Sequence, residues 1–212
     1  MNVLILANGE PPGRELALRM AAKCDLLIAT DGAAHLAAQL GLTPDVICGD
    51  FDSIDLAAAR KAFPETEFVP TPDQSYADLE KALLLAQSRG AVAITIMGAA
   101  GGRIDHQFAN FALLLRYGRD MALRVVDDGY QVWPVFERLD CEARPGDTVS
   151  LIALEPGVVV SISGVQWELS EFPLSPGSRA VSNIAVANHV TVEVHQGNLL
   201  FCHLCEEGGT RL

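Results

Sequence analysis

The chain has 212 residues, half of them hydrophobic and a fifth charged, and a formal net charge of −12. That length holds one large domain or two small ones with ample core, and the composition is that of a folded globular protein. The acidic balance argues against a nucleic-acid or anionic-membrane surface, so any anion site must be local.

The first strand pattern, at 3–7, follows the initial Met1 and Asn2 without a basic leader, so no signal peptide is expected. No apolar run approaches the ~20 residues a membrane helix requires. The cysteines at 24, 48, 141, 202 and 205 lack a disulfide-scaffold spacing and fit a reduced, cytoplasmic protein. Strand patterns at 3–7, 26–30, 46–48, 67–69, 92–97 and 123–127 alternate with helix patterns near 14–23, 33–41, 55–62, 76–89 and 104–118. This predicts an α/β domain: a parallel sheet of βαβ units with helices on both faces, binding ligands beyond the carboxyl ends of its strands. From about 130 the helical patterns stop. Short alternating or β-branched runs at 132–136, 148–153, 158–163, 190–194 and 199–202, punctuated by turn residues, predict a small all-β sandwich. The predicted domains are therefore 1–128 and 129–212, with 206–212 expected to fray. Cys202-His203-Leu204-Cys205 looks like half a zinc site; on a strand His203 and Cys205 face one way, Cys202 and Leu204 the other. With no second Cys/His pair in the chain, zinc is not expected there.

Four polar clusters follow strand patterns of the first domain. After the second comes Thr30-Asp31-Gly32-Ala33-Ala34, where Asp31 either caps the next helix or contacts a nucleotide, capping being the simpler reading. After the third stand Asp50 and Asp52, with Ser53 as a further hydroxyl. Alternate residues of extended chain share a side, so both carboxylates should leave the strand together. A lone Asp-x-Asp is ordinarily a solvated turn, but two such acids repel unless a cation sits between them, and Mg²⁺ is the usual partner when the substrate is a phosphate. After the fourth, Asp78 and Lys81 lie three apart on one helical face. They form an intrahelical ion pair, or Asp78 completes a metal site and Lys81 serves a phosphate. After the fifth comes Gly98-Ala99-Ala100-Gly101-Gly102-Arg103-Ile104-Asp105-His106, where small residues let backbone amides approach an anion at a helix start and Arg103 adds a phosphate-gripping fork. His106 is placed as a general base or as an orienting group. Together these imply Mg²⁺-assisted phosphoryl transfer, without naming the acceptor.

At these clusters (31–35, 44–53, 73–82 and 98–110) the chain resembles the thiamine pyrophosphokinase family, as do Gly164-Val165-Gln166-Trp167-Glu168-Leu169 and Ser182-Asn183 in the second domain. The resemblance implies transfer of a pyrophosphoryl group from ATP to the hydroxyl of thiamine, releasing AMP. By it, Asp50, Asp52 and Asp78 hold Mg²⁺ and the triphosphate; Asp31, Gly32, Lys81 and the turn of Gly98, Gly101, Gly102 and Arg103 place the nucleotide; and Gln74, Trp167, Ser182 and Asn183, with Ser53, contact thiamine. It also implies a homodimer whose β-domains close one another's sites. Ala77 stands where the family has Thr, and Ala33 and His35 where it has Gly and Asn, so altered nucleotide or metal contacts are expected there. The competing readings are a pyrophosphokinase acting on a hydroxymethyl-pterin and a non-catalytic thiamine or nucleotide sensor.

Overall fold

The computed structural model describes residues 1–52 and 54–205, so the tail expected to fray lies outside the described residues. The chain divides into two compact units, the first ending at Asp127 and the second starting at Asp128.

The first unit runs β1 (Asn2–Leu6), α1 (Arg14–Ala21), β2 (Leu26–Thr30), a 3-10 turn (Asp31–Ala33), α2 (Ala34–Leu40), β3 (Val46–Gly49), α3 (Leu56–Ala62), β4 (Glu67–Pro70), α4 (Asp78–Ser88), β5 (Ala93–Met97), α5 (Ile104–Tyr117) and β6 (Ala122–Asp127). Its six strands lie in the order β6-β5-β1-β2-β3-β4, and every pairing is parallel. β3 is buried at all four residues, as its unbroken apolar run demands of a strand covered on both faces. Leu4, Leu6, Leu27, Ala29 and Ile47 share one core with Leu16 and Met20 of α1 and Leu36 and Leu40 of α2. α4 packs against β1, β2 and β3 and buries Leu79, Leu83 and Ala86. Each fully buried aliphatic side chain contributes about 1.5–3 kcal/mol. Local chemistry sets the helix ends. Asp55 caps α3 by accepting from the Ala57 and Ala58 N–H groups, and Gly41 closes α2 in the left-handed region at φ 75°. The chain fills the sheet outward from β1 to β4, then crosses back to place β5 on the other side of β1. The crevice at the carboxyl ends of β1 and β5 is thus the switch point at which open parallel sheets bind ligands.

The second unit is an all-β sandwich. Strands β7 (Tyr130–Val135), β9 (Thr148–Ile152), β12 (Asn183–Ile184) and β14 (Leu199–Leu204) form one antiparallel sheet. β8 (Arg138–Glu142), β10 (Val158–Ser163), β11 (Leu169–Leu174) and β13 (His189–Gln196) form the other. Val149, Leu151, Leu199 and Phe201 meet Val160, Ile162, Val190 and Val192 in the core between them. Three of these strands carry no plain strand pattern. β8 and β11 are edge strands, the first carrying alternating charges and the second a proline at 173, of a kind common on edges. β12 is two residues long.

Candidate active site

Asp31 stands at the end of β2 with only 1% of its surface exposed. It does not cap α2, whose N-cap is Ala33 with no side-chain bond. Its carboxylate instead accepts from the Gly32 N–H at 2.7 Å and, across to the next strand end, from the Phe51 N–H at 2.9 Å. Burial is the largest influence on it and pushes its pKa up; the two amide bonds oppose that, and the charges of Asp78 and Asp50 add to it. The side chain crosses directly over Gly49, where a Cβ would lie 2.2 Å from the Asp31 Cγ.

Asp50 and Asp52 do come together, but not as alternate residues of a strand. β3 ends at Gly49, and Phe51 takes a left-handed φ of 63° while its ring packs on Phe68. The kink turns the Phe51 N–H toward Asp31, and the Asp52 N–H meets the Asp50 Oδ1 at 3.3 Å. Such a conformation is costly for a side chain of this size and belongs to sites the surrounding structure enforces. Carboxylate oxygens of Asp31, Asp50 and Asp52 lie within 4.8 Å of one another. Asp50 also accepts from the Gln74 Nε2 at 2.8 Å, chiefly through which its pKa falls to about 2, whereas that of Asp52 rises because Asp50 adjoins it.

Lys81 is buried and serves both pairings open to it: its Nζ lies 3.3 Å from the Asp78 Oδ1 and 3.5 Å from the Asp50 Oδ2. Burial alone would lower its pKa, but the two carboxylates outweigh that and hold the ammonium charged. Asp78 opens α4 directly after Ala77, which occupies the N-cap without any side-chain bond. The intrahelical pair is therefore present, and it extends to Asp50. A set of hard carboxylate donors pushed together, with one buried cation as internal counter-charge, fits an oxygen-preferring divalent ion such as Mg²⁺. Ser53 lies outside the described residues.

The glycine-rich turn follows β5 and is held by the loop after β1. Gly9 N–H donates to the Gly98 carbonyl at 2.9 Å and Glu10 N–H to the Ala100 carbonyl at 2.7 Å. A Cβ on Gly9 would lie 2.2 Å from the Ala100 oxygen, so the close approach requires glycine there. The Gly101 N–H is taken by the Gln107 Oε1, and the Asn110 side chain ties down the Ala99 carbonyl. Arg103, the N-cap residue of α5, grips Asp105 with two bonds of 3.1 and 2.6 Å while remaining exposed. Asp105 is thereby lowered to about 2. Its Oδ1 also accepts the His106 N–H. Asn8, Gly9, Asp78, Gly102, Arg103 and His106 help line a cleft of about 360 Å³ at the switch point. A second cavity, about 500 Å³, lies between α2 and α3 and shares Asn8 with it. The Asn8-Gly9 corner carries no motif of its own; its signal was its place, immediately after β1.

In the second unit, Asn183 is buried and bonded through both ends of its carboxamide. Its Oδ1 accepts from the Trp167 and Ile184 N–H groups, and its Nδ2 donates to the Trp167 carbonyl at 2.8 Å. Trp167 itself is 57% exposed. Ser182, left-handed at φ 60°, is exposed and donates its N–H to the Ser150 Oγ.

Residues 17–126 match the catalytic domain of thiamin pyrophosphokinase and residues 137–199 its vitamin B1 binding domain. Thiamin pyrophosphokinase 1 of Caenorhabditis elegans is 31% identical over 206 residues, 90% of this chain and 82% of that protein. Thiamine pyrophosphokinase 1 of Arabidopsis thaliana is 31% identical over 169 residues, 71% of this chain but 61% of that longer protein. The fold is shared with crystal structures of thiamine pyrophosphokinase from Bacillus subtilis, at TM-score 0.84 and 22% identity over 97% of this chain and 100% of that one, and from Geobacillus thermodenitrificans, at 0.83 and 24% over 98% and 99%. With both domain profiles met in order, and a relative aligned along most of its length, the chain belongs to the thiamin pyrophosphokinase family.

Proposed function

We propose that the chain transfers a pyrophosphoryl group from ATP to the hydroxyl of thiamine, giving thiamine diphosphate and AMP. The observation that carries this reading is the cluster of Asp31, Asp50 and Asp52, with the buried Lys81 beside it, at the strand ends of a parallel sheet. The thiamine hydroxyl oxygen would attack the β-phosphorus, losing its proton to water, as the bond from the β-phosphorus to the bridging α-phosphate oxygen breaks, so that AMP carries away that oxygen. Asp50, Asp52 and Asp78 would hold Mg²⁺, with Asp31 within reach of the first two, and the ion would neutralise charge on the triphosphate. Lys81 and Arg103 would bind phosphate oxygens, Lys81 as a desolvated point charge and Arg103 as a fork whose angle Asp105 sets. The Gly98–Gly102 turn and Gly32 would let the nucleotide approach main chain closely. Most of the catalytic effect then lies in positioning and charge stabilisation.

Gln74, Trp167 and Ser182 would contact thiamine, and Asn183 would act by holding the Trp167 backbone. The match of 137–199 to a vitamin B1 binding domain favours thiamine over a hydroxymethyl-pterin. We read the protein as a cytoplasmic homodimer with shared sites. Five cysteines free of disulfides and the exposed Trp167 support that reading. Among the described residues no helix is long and apolar enough to cross a membrane.

One incubation with Mg²⁺-ATP and thiamine, with a hydroxymethyl-pterin in parallel, tests the reaction by mass of the products. Thiamine diphosphate with AMP is expected. Thiamine monophosphate with ADP, turnover of the pterin alone, or tight thiamine binding without turnover would each overturn it. Mixing inactive Asp52→Asn and Trp167→Ala chains should restore turnover if sites are shared between subunits, and leave it absent if they are not.

A further inference from the structure

The pattern Cys202-His203-Leu204-Cys205 lacks a second Cys/His pair in sequence, but the fold supplies partners of another kind. His203 is 1% exposed, and its Nε2 lies 2.8 Å from the Oδ2 of Asp147, the residue immediately before β9. The Cys205 Sγ lies 3.7 Å from the same Nε2, and ligand atoms of Asp147, His203 and Cys205 all fall within 4.8 Å of one another. On the other side of the ring, the Cys141 Sγ of β8 lies 3.8 Å from Nδ1. Asp147 and His203, 56 residues apart in sequence, and Cys205, two residues beyond His203, thus bring oxygen, nitrogen and sulfur donors to one place.

We propose that Asp147, His203 and Cys205 form a site for a sulfur- and imidazole-preferring divalent cation, with Zn²⁺ the best fit, distinct in chemistry from the all-carboxylate cluster of the α/β unit. Zinc takes nitrogen at about 2.0–2.1 Å and sulfur at about 2.3 Å, so tetrahedral ligation sets neighbouring nitrogen and sulfur about 3.6 Å apart. The 3.7 Å between Nε2 and the Cys205 Sγ is of that length, but the same Sγ lies 3.9 Å from Nδ1, so the thiol has to swing toward the Nε2 side to share an ion with it. Tetrahedral nitrogen and oxygen ligands sit about 3.3 Å apart, so Asp147, at 2.8 Å, has to back away by a fraction of an ångström. That same Oδ2 accepts the Arg144 N–H at 2.8 Å, which fixes the direction from which the carboxylate approaches the ring. Cys141 partners the remaining ring nitrogen, the position from which an outer group fixes the orientation of a ligating imidazole. Three protein donors leave a fourth position to water or another ligand. Thiolate and imidazole select Zn²⁺ against Mg²⁺, so the two sites of the chain would not compete for one ion.

Cobalt serves as the probe, since only a sulfur ligand gives a thiolate-to-metal charge-transfer band; a cobalt ion in the carboxylate cluster stays silent in that region. The full chain is stripped with chelator and titrated with Co²⁺. One equivalent should develop the band, and Zn²⁺ should abolish it. Cys205→Ser should remove the band and weaken Zn²⁺ binding at least tenfold against a chromophoric chelator, while Cys202→Ser, on the opposite face of β14, should keep both. Asp147→Asn retains the sulfur and should still bind Zn²⁺ at least tenfold more weakly, with circular dichroism reporting that each variant is folded. A wild-type chain without the band, or a band unchanged in Cys205→Ser, would overturn the proposal and leave His203 and Asp147 as a structural pair.

Discussion

Gly49 shows how a single missing side chain shapes this site. Its neighbour Asp31 fills the space a Cβ would occupy, at 2.2 Å from the carboxylate carbon, and Asp31 in turn holds the Phe51 amide. Gly49→Ala must therefore push Asp31 off that bond and undo the kink that brings Asp50 to Asp52. We expect it to cost about 1–3 kcal/mol in urea denaturation, the usual range for overpacking, and to lose turnover beyond what that destabilisation explains. Full activity at wild-type stability would show that Asp31 can move without consequence. None of this is legible in the sequence. Pro44 to Ser53 announces two acids after a strand, but the reading that alternate residues share a side assumes extended chain, and the left-handed Phe51 depends on an acid 20 residues earlier.

At the scale of elements, the strands and helices of the α/β unit are legible because buried parallel strands are unbroken apolar runs and the helix ends carry glycine or capping residues. The edge strands β8 and β11 are not, because an edge is kept charged or interrupted so that it does not pair further. α4 shows the reverse case, a helix lacking its expected start signal. Its N-cap is Ala77, in extended backbone at φ −72° and ψ 160°, and its side chain offers no acceptor to the first turn. Ala77→Ser restores an acceptor for the N–H groups of the first turn without demanding new space for a β-branched side chain. It should stabilise the protein by about 0.5–1 kcal/mol, a rise of a few degrees in Tm at this size. An unchanged or lower Tm in a thermal melt would mean that the first-turn amides are already satisfied by solvent in the cleft.

For the whole molecule, a net charge of −12 makes a polyphosphate an unfavourable guest unless a cation arrives with it. Mg²⁺ and ATP together should raise Tm by several degrees, since a ligand at a hundredfold over its Kd adds about 2.7 kcal/mol. ATP with chelator should do far less. Asp52→Asn should abolish most of the shift while leaving the unliganded Tm within about 1–2 °C of wild type, as an exposed side chain allows. An undiminished shift in that variant would remove Asp52 from the cation site.

The mounting of Trp167 bears on how mutational data from this protein would read. Asn183 spends its carboxamide on the Trp167 backbone and on Ile184, so it has little left to offer a ligand. In a selection for activity, substitutions at Asn183 would score as harshly as those at the tryptophan it supports. A map of sensitive positions would then mark Asn183 for the bonds it makes to its neighbours' backbone, whether or not it meets a ligand.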